Sequence, residues 1–147
     1  GTLIEGEEEN WECPNLFRIG DTWVLLYSPH SVVKYYTGTL DLERCRFTPR
    51  QHGVVDHGIF YASNVCRDPQ DRWILWGWQR MWVDGRGWNG CLALPRVLSI
   101  LPDGRLGQQP VPELEMLRRE VLEANGHRFC SPPGLRRTAV LNVGAMA

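Results

Sequence analysis

From Leu16 to Pro110 the chain is a succession of short apolar, β-branched and aromatic runs, each closed by a turn signal. No other feature constrains the fold as strongly. Leu16–Tyr27, split at Gly20-Asp21, reads as a β-hairpin that ends at Ser28-Pro29-His30. Val32–Leu40 is a further strand, and Asp41–Arg44 turns the chain into a short one at Arg46–Pro49. After a loop over Gln51–Gly58, the pattern predicts strands at Ile59–Val65 and Arg72–Gln79, joined by a turn around Asp68–Asp71. An irregular stretch, Arg80–Gly90, precedes a strand over Cys91–Ile100. Pro102–Arg105 then turns the chain into Leu106–Pro110. Short strands at near-regular spacing predict an all-β antiparallel meander of the kind that builds propeller blades, with a sandwich as the alternative from pattern alone.

Beyond this region Leu114, Leu117, Val121 and Leu122 fall at helical spacing, which predicts a short amphipathic helix or linker over 113–126. Residues 127–147 read as a tail, with one strand at most at Val140–Val143. At the other end, like charges in Glu5-Gly6-Glu7-Glu8-Glu9 resist burial and predict an exposed loop. The chain begins at Gly1 in mid-pattern and reads as a piece of something longer, so its compartment and oligomeric state are not assigned.

The 147 residues are 43% hydrophobic and carry a formal charge of −1, which argues against a nucleic-acid surface or a polybasic membrane patch. The expected partner is uncharged, and seven tryptophans tilt the reading toward sugars, on whose rings indoles stack. Five cysteines (Cys13, Cys45, Cys66, Cys91, Cys130), odd in number and without a C-x-x-C pair, predict neither a disulfide framework nor a structural zinc site. The histidines lack metal-ligand spacing, and no run reaches the roughly 18–20 apolar residues of a membrane span. No metal or organic cofactor is expected.

Within Asn10-Trp11-Glu12-Cys13-Pro14-Asn15, Glu12 stands between an indole and a thiol, ahead of a proline that fixes φ. Partial desolvation there would raise its pKa toward the range of a general acid. The competing reading is one more solvated carboxylate continuing the acidic run. Both stay open on the residues alone.

Trp11-Glu12-Cys13-Pro14 resembles the E-C-P motif of glycoside hydrolase family 32, the invertases, levanases, inulinases and fructan hydrolases. Asp56-His57-Gly58-Ile59-Phe60-Tyr61-Ala62-Ser63 is similar to the family's D-x-G-x-F-Y-A stretch, and Ile74–Trp78 to its I-L-W-G-W strand. Gly87–Arg96 is similar to its G-W-x-G-x-x-x-L-P-R segment, and all four motifs fall in the family's order. The resemblance implies the later blades of a five-bladed propeller over 1–112, a linker or short helix over 113–126, and a tail or the start of a β-sandwich in 127–147.

It also implies roles. Glu12 would be the acid/base of a retaining hydrolase of β-D-fructofuranosides, in sucrose or a fructan. Asp56 would be a carboxylate near it, holding sugar hydroxyls or tuning it, against the alternative of a turn former. Trp78 and Tyr61 would line the fructose pocket and Cys13 would pack beside it, with no sign of a nucleophilic thiol. Several plant relatives carry a lysine where Ile59 stands, which leaves tuning by a cation there unsupported. Arg67-Asp68-Pro69 spells the family's R-D-P motif but follows E-C-P instead of preceding it, and reads as turn chemistry. The family's nucleophile, the aspartate of a W-M-N-D-P-N-G type motif, has no counterpart in 1–147, so this stretch alone is expected to be inactive. A sugar-binding propeller without chemistry and a fructosyltransferase are the alternative functions.

Overall fold

The structure is a computed structural model that describes residues 2–6, 10–117, 120–124 and 127–131. The chain divides into two compact units, Gly1–Val111 and Pro112–Ala147. The first holds two antiparallel sheets. Strands β1 (Glu12–Ile19), β2 (Thr22–Ser28), β3 (Lys34–Asp41) and β4 (Arg46–Val54) form one in simple sequence order. Strands β5 (Phe60–Arg67), β6 (Trp73–Gln79), β7 (Cys91–Leu92), β8 (Arg96–Ile100) and β9 (Leu106–Pro110) form the other, in the order β5-β6-β8-β9 with β7 also on β6. The described chain is thus nearly all β, built as two blades of a partial propeller.

Local chemistry explains most boundaries. Gly20 takes a φ of +57 between β1 and β2, where a tight hairpin needs the left-handed region. The Asp68–Asp71 turn is held by Asp68, whose side chain accepts from the amides of Gln70 (3.0 Å) and Arg72 (2.8 Å) and from Arg72 Nε (2.7 Å). Asp68 is thereby committed to turning the chain, in agreement with the rejection of Arg67-Asp68-Pro69 as a catalytic motif.

Three sequence expectations need correction. The loop expected over Gln51–Gly58 begins only after Val54. Before it, β4 stays paired with β3 through Gln51↔Thr37, His52↔Tyr36, Gly53↔Tyr35 and Val54↔Lys34, past a register shift at Thr37/Gly38. The single strand expected over Cys91–Ile100 is broken between β7 and β8 at Ala93-Leu94-Pro95, where the proline has no amide to give a ladder. The short helix or linker expected over 113–126 is, among the described residues, a 3₁₀ helix at Pro112–Leu117 followed by strand β10 at Glu120–Ala124, paired with β11 (His127–Ser131). Asn125-Gly126, between those strands in sequence, is a two-residue hairpin signal that competes with the helical spacing. Glu7–Glu9 of the acidic run and everything after Ser131, including Val140–Val143 and the rest of the sandwich expectation, lie outside the described residues.

The core lies between the two sheets of the first unit. Val24, Leu26, Val33, Phe60 and Leu75 are buried to 1% exposure or less, each contributing about 1.5–3 kcal/mol relative to an exposed side chain. Phe17 of β1 packs on Trp73 of β6 at 4.8 Å between ring centroids, and Trp73 Nε1 donates to the Arg18 carbonyl at 2.9 Å. At the opposite edges Thr37 donates to the Gly104 carbonyl (2.7 Å) and Gln108 to that of Val55 (2.5 Å). Gly77 is required by close approach, since any Cβ there would collide with the Phe60 ring.

Candidate active site

The first strand of each sheet carries a β-bulge at its start. In β1, Glu12 faces Ser28 and Asn15 faces Leu26, so Cys13 and Pro14 together oppose Tyr27 alone. In β5, Tyr61 faces Trp78 and Asn64 faces Trp76, so Ala62 and Ser63 oppose Gly77 alone. The bulge residues Cys13 and Ala62 take φ of +45 and +48, an unfavourable region for residues with a Cβ. Bulges re-aim the side chains beside them, and these turn Glu12 and Tyr61 toward each other from neighbouring sheets.

The Tyr61 hydroxyl donates to Glu12 Oε2 at 2.7 Å and accepts from the His30 amide at 2.9 Å, with the Ser28 carbonyl 3.2 Å away as a weaker alternative acceptor. On the other carboxyl oxygen, His30 Nε2 lies 2.9 Å from Oε1, and Asn10 Nδ2 stands 2.7 Å from the same ring nitrogen. His30 is held there by a φ of +61 directly after β2 and Pro29. Asn15 ties the two bulges together. Its amide nitrogen donates to the carbonyls of Cys13 (2.8 Å) and Ser63 (2.9 Å), while its oxygen accepts from the Val65 amide (3.2 Å).

The electrostatics overturn one expectation. Glu12 is held below its ordinary pKa, first by the Tyr61 hydroxyl and next by His30, with a smaller contribution from Asn10, and these outweigh the upward push of partial burial. The sequence neighbours expected to desolvate it do not. Trp11 stacks on Tyr27 at 4.1 Å and Cys13 is exposed, while the Glu12 side chain keeps 41% of its surface open. Tyr61, 7% exposed, is pushed up by burial and by its bond to the carboxylate. The Arg80 guanidinium lies 4.6 Å from the centre of its ring.

Of the residues singled out in the sequence, Glu12 and Tyr61 meet directly. Trp78 is the ladder partner of Tyr61, which puts it on the same face of the sheet, and its ring meets Trp82 edge-on at 5.8 Å. Cys13 contributes its backbone carbonyl to Asn15 and leaves its thiol exposed. Asp56 is bound elsewhere: its carboxylate accepts from Arg96 Nη2 at 2.7 Å and from the Gly58 amide at 2.8 Å. Burial pushes the Asp56 pKa up, but Arg96, the Gly58 amide and the charge of His57 outweigh it and hold the group low. The groups acting most on Glu12 do not include Asp56, so the expected elevation by a like charge is not seen.

Sequence reasoning missed His30, Asn15 and Arg96. Asn15 stands two positions after Cys13, to whose carbonyl it donates, but the other partners of His30 and Asn15 lie 18 to 50 positions away and no spacing rule connects them. Among the described residues no group of three or more His, Cys, Asp or Glu could hold a metal ion, and no helix is long and apolar enough to cross a membrane.

Comparison with known proteins identifies the family and the fold. The family model for the glycosyl hydrolases family 32 N-terminal domain matches residues 3–110. The chain is 34% identical to fructan 1-exohydrolase w3 of Triticum aestivum, over 79% of this chain and 24% of that protein. It is 32% identical to sucrose-6-phosphate hydrolase of Escherichia coli, over 97% of this chain and 32% of that protein. Among solved structures, fructan 1-exohydrolase IIa from Cichorium intybus superposes with a TM-score of 0.70 at 27% identity, over 76% of this chain and 27% of that one. Sucrose-6-phosphate hydrolase from Lactobacillus gasseri superposes with a TM-score of 0.71 at 25% identity, over 83% and 30%. The chain spans about a quarter to a third of the length of the curated relatives it matches. With the family model matched over residues 3–110, more than half of the chain, the chain belongs to glycosyl hydrolase family 32.

Proposed function

We propose that the protein carrying this chain hydrolyses terminal β-D-fructofuranosyl bonds, in sucrose or a fructan, with Glu12 as the acid/base. The observation that supports this most is the carboxyl at a strand bulge, partly open to solvent and bonded on one oxygen by a buried phenol and on the other by an exposed imidazole. Such a group is fixed in place yet able to reach a ligand. In hydrolysis with retention, the acid first protonates the leaving oxygen and then, as carboxylate, takes a proton from the attacking water. Tyr61 and His30 favour the carboxylate and so prepare the second half of that cycle. Protonation for the first half is favoured by the negative charge of a second carboxylate, and the nucleophile that the family resemblance implies supplies one. Trp78, on the Tyr61 face, offers an indole for a sugar ring, and Cys13 borders the site. Asp56 serves through Arg96, keeping the entry to β5 in place, and touches sugar only if that pair opens. The reading keeps the domain assignment of residues 1–112 as part of the catalytic propeller.

Glu12→Gln in the full-length protein tests it. General acid–base catalysis contributes about 10²–10⁴-fold, so kcat on sucrose is expected to fall by that much at an unchanged melting temperature. A fructoside with a nitrophenyl leaving group, which needs little protonation, is expected to lose less. Near-normal turnover of sucrose by this variant would reject the role.

A further inference from the structure

We propose that His30 is the positioning residue that lets Glu12 serve as both acid and base. This rests on the acid/base reading of Glu12. Two contacts of one residue carry it. The His30 ring meets Glu12 Oε1 through Nε2 at 2.9 Å, and the His30 amide donates to the Tyr61 hydroxyl at 2.9 Å, the same hydroxyl that serves Oε2. One residue in the left-handed region therefore braces both oxygens of the carboxyl.

The two oxygens are not equivalent. Oε2 faces a buried phenol whose O–H donates most strongly to the carboxylate and still finds an acceptor in the carbonyl oxygen of the protonated acid. Oε1 faces a ring that is 67% exposed and able to yield to a ligand. A neutral imidazole is donor at one nitrogen and acceptor at the other, so Nε2 can donate to the carboxylate when the Asn10 amide turns its oxygen to that nitrogen or, in the other tautomer, accept from the protonated acid in competition with the Asn10 amide nitrogen 2.7 Å away. Both states of Glu12 thus keep a partner on Oε1, the oxygen that exchanges its proton with the leaving group and with water. The groups facing this pair are Glu12 from β1, Tyr61 from β5 with Arg80 over its ring, and the neutral amide of Asn10.

The test is the pH dependence of kcat and kcat/KM for sucrose in the full-length protein, with His30→Ala, His30→Gln and His30→Lys beside the parent and Glu12→Gln. His30 lies on the surface, so unfolding midpoints are expected to stay together. His30→Ala removes a donor to a charged group and is expected to lower kcat about tenfold with little change in KM. It is also expected to move the basic limb to higher pH, because Glu12 then holds its proton more tightly. His30→Lys fixes a positive charge beside the carboxylate and is expected to move that limb the opposite way. The amide of His30→Gln can donate or accept and is expected to recover part of the lost kcat. Profiles superimposable on the parent, or a common direction for the alanine and lysine variants, would overturn the inference. Glu12→Gln separates the two layers: normal turnover there removes the acid/base reading itself, whereas an inactive Glu12→Gln with unmoved His30 profiles removes only the role of His30.

Discussion

The two bulges, Glu12–Asn15 in β1 and Tyr61–Asn64 in β5, use the same backbone device to different ends. Each places a site residue first and a left-handed residue second, and each ends on an asparagine. They part in what those asparagines do. Asn64 satisfies the amide of its own neighbour, Val65, at 2.8 Å, while Asn15 reaches across to the carbonyl of Ser63 and the same Val65 amide in the other sheet. The β1 bulge is therefore anchored on the β5 bulge. A pair of sheets can present two groups to each other at 2.7 Å only if something fixes the spacing between them, and Asn15 is that fixture.

Breaking the fixture is expected to have the largest effect. Asn15→Ala removes three hydrogen bonds and strands two carbonyls, which is expected to lower unfolding stability by about 2–4 kcal/mol in denaturant titration. A loss below about 0.5 kcal/mol would mean that the bulges hold their spacing without it. Tyr61→Phe keeps the ring and removes only the hydroxyl, so it tests the contact between the bulges instead of their scaffold. A bond to a charged group translates into a turnover loss of roughly 10- to 100-fold. The sign of the pH effect follows from the hydroxyl being the main cause of the low Glu12 pKa. Without it the folded-state pKa rises, the acid stays protonated to higher pH, and the basic limb of the rate profile moves up. A limb that stays put would show that the phenol does not govern the carboxyl. The smallest effect is expected from Cys13→Gly. Relief at a φ of +45 is partly cancelled by the extra freedom of glycine in the unfolded chain, leaving a gain of about 0.5 kcal/mol, readable as a slightly raised melting temperature. A loss would show that the exposed thiol makes a contact worth more than the strain.

What could be read from the sequence was local. Gly20-Asp21, Asp68–Asp71 and Pro102–Arg105 announced their turns because turn chemistry involves only a few consecutive residues. The family motifs singled out Glu12 and Tyr61, and the structure brings these two side chains into contact. The bulges were hidden, because a bulge is a mismatch of count between two strands and neither strand shows it alone. Of the two readings of Glu12 left open, the raised pKa fails for a related reason: Trp11 spends its face on Tyr27, while the groups that act most on the carboxyl arrive from 18 and 49 residues away. Residues 113–126 read as a short helix or linker because Leu114, Leu117, Val121 and Leu122 fitted a 3.6-residue period, and a five-residue strand at Glu120–Ala124 is too short to contradict it by pattern.

Phe60 and Tyr61 are consecutive and point to opposite sides of β5. The ring of Phe60 is seated in the space that Gly77 leaves by having no side chain, like a dowel in a socket. The strand can neither slide nor roll without lifting that ring out. The height at which the neighbouring phenol emerges is therefore set from behind, by a hydrogen atom on a residue that touches no part of the reacting group.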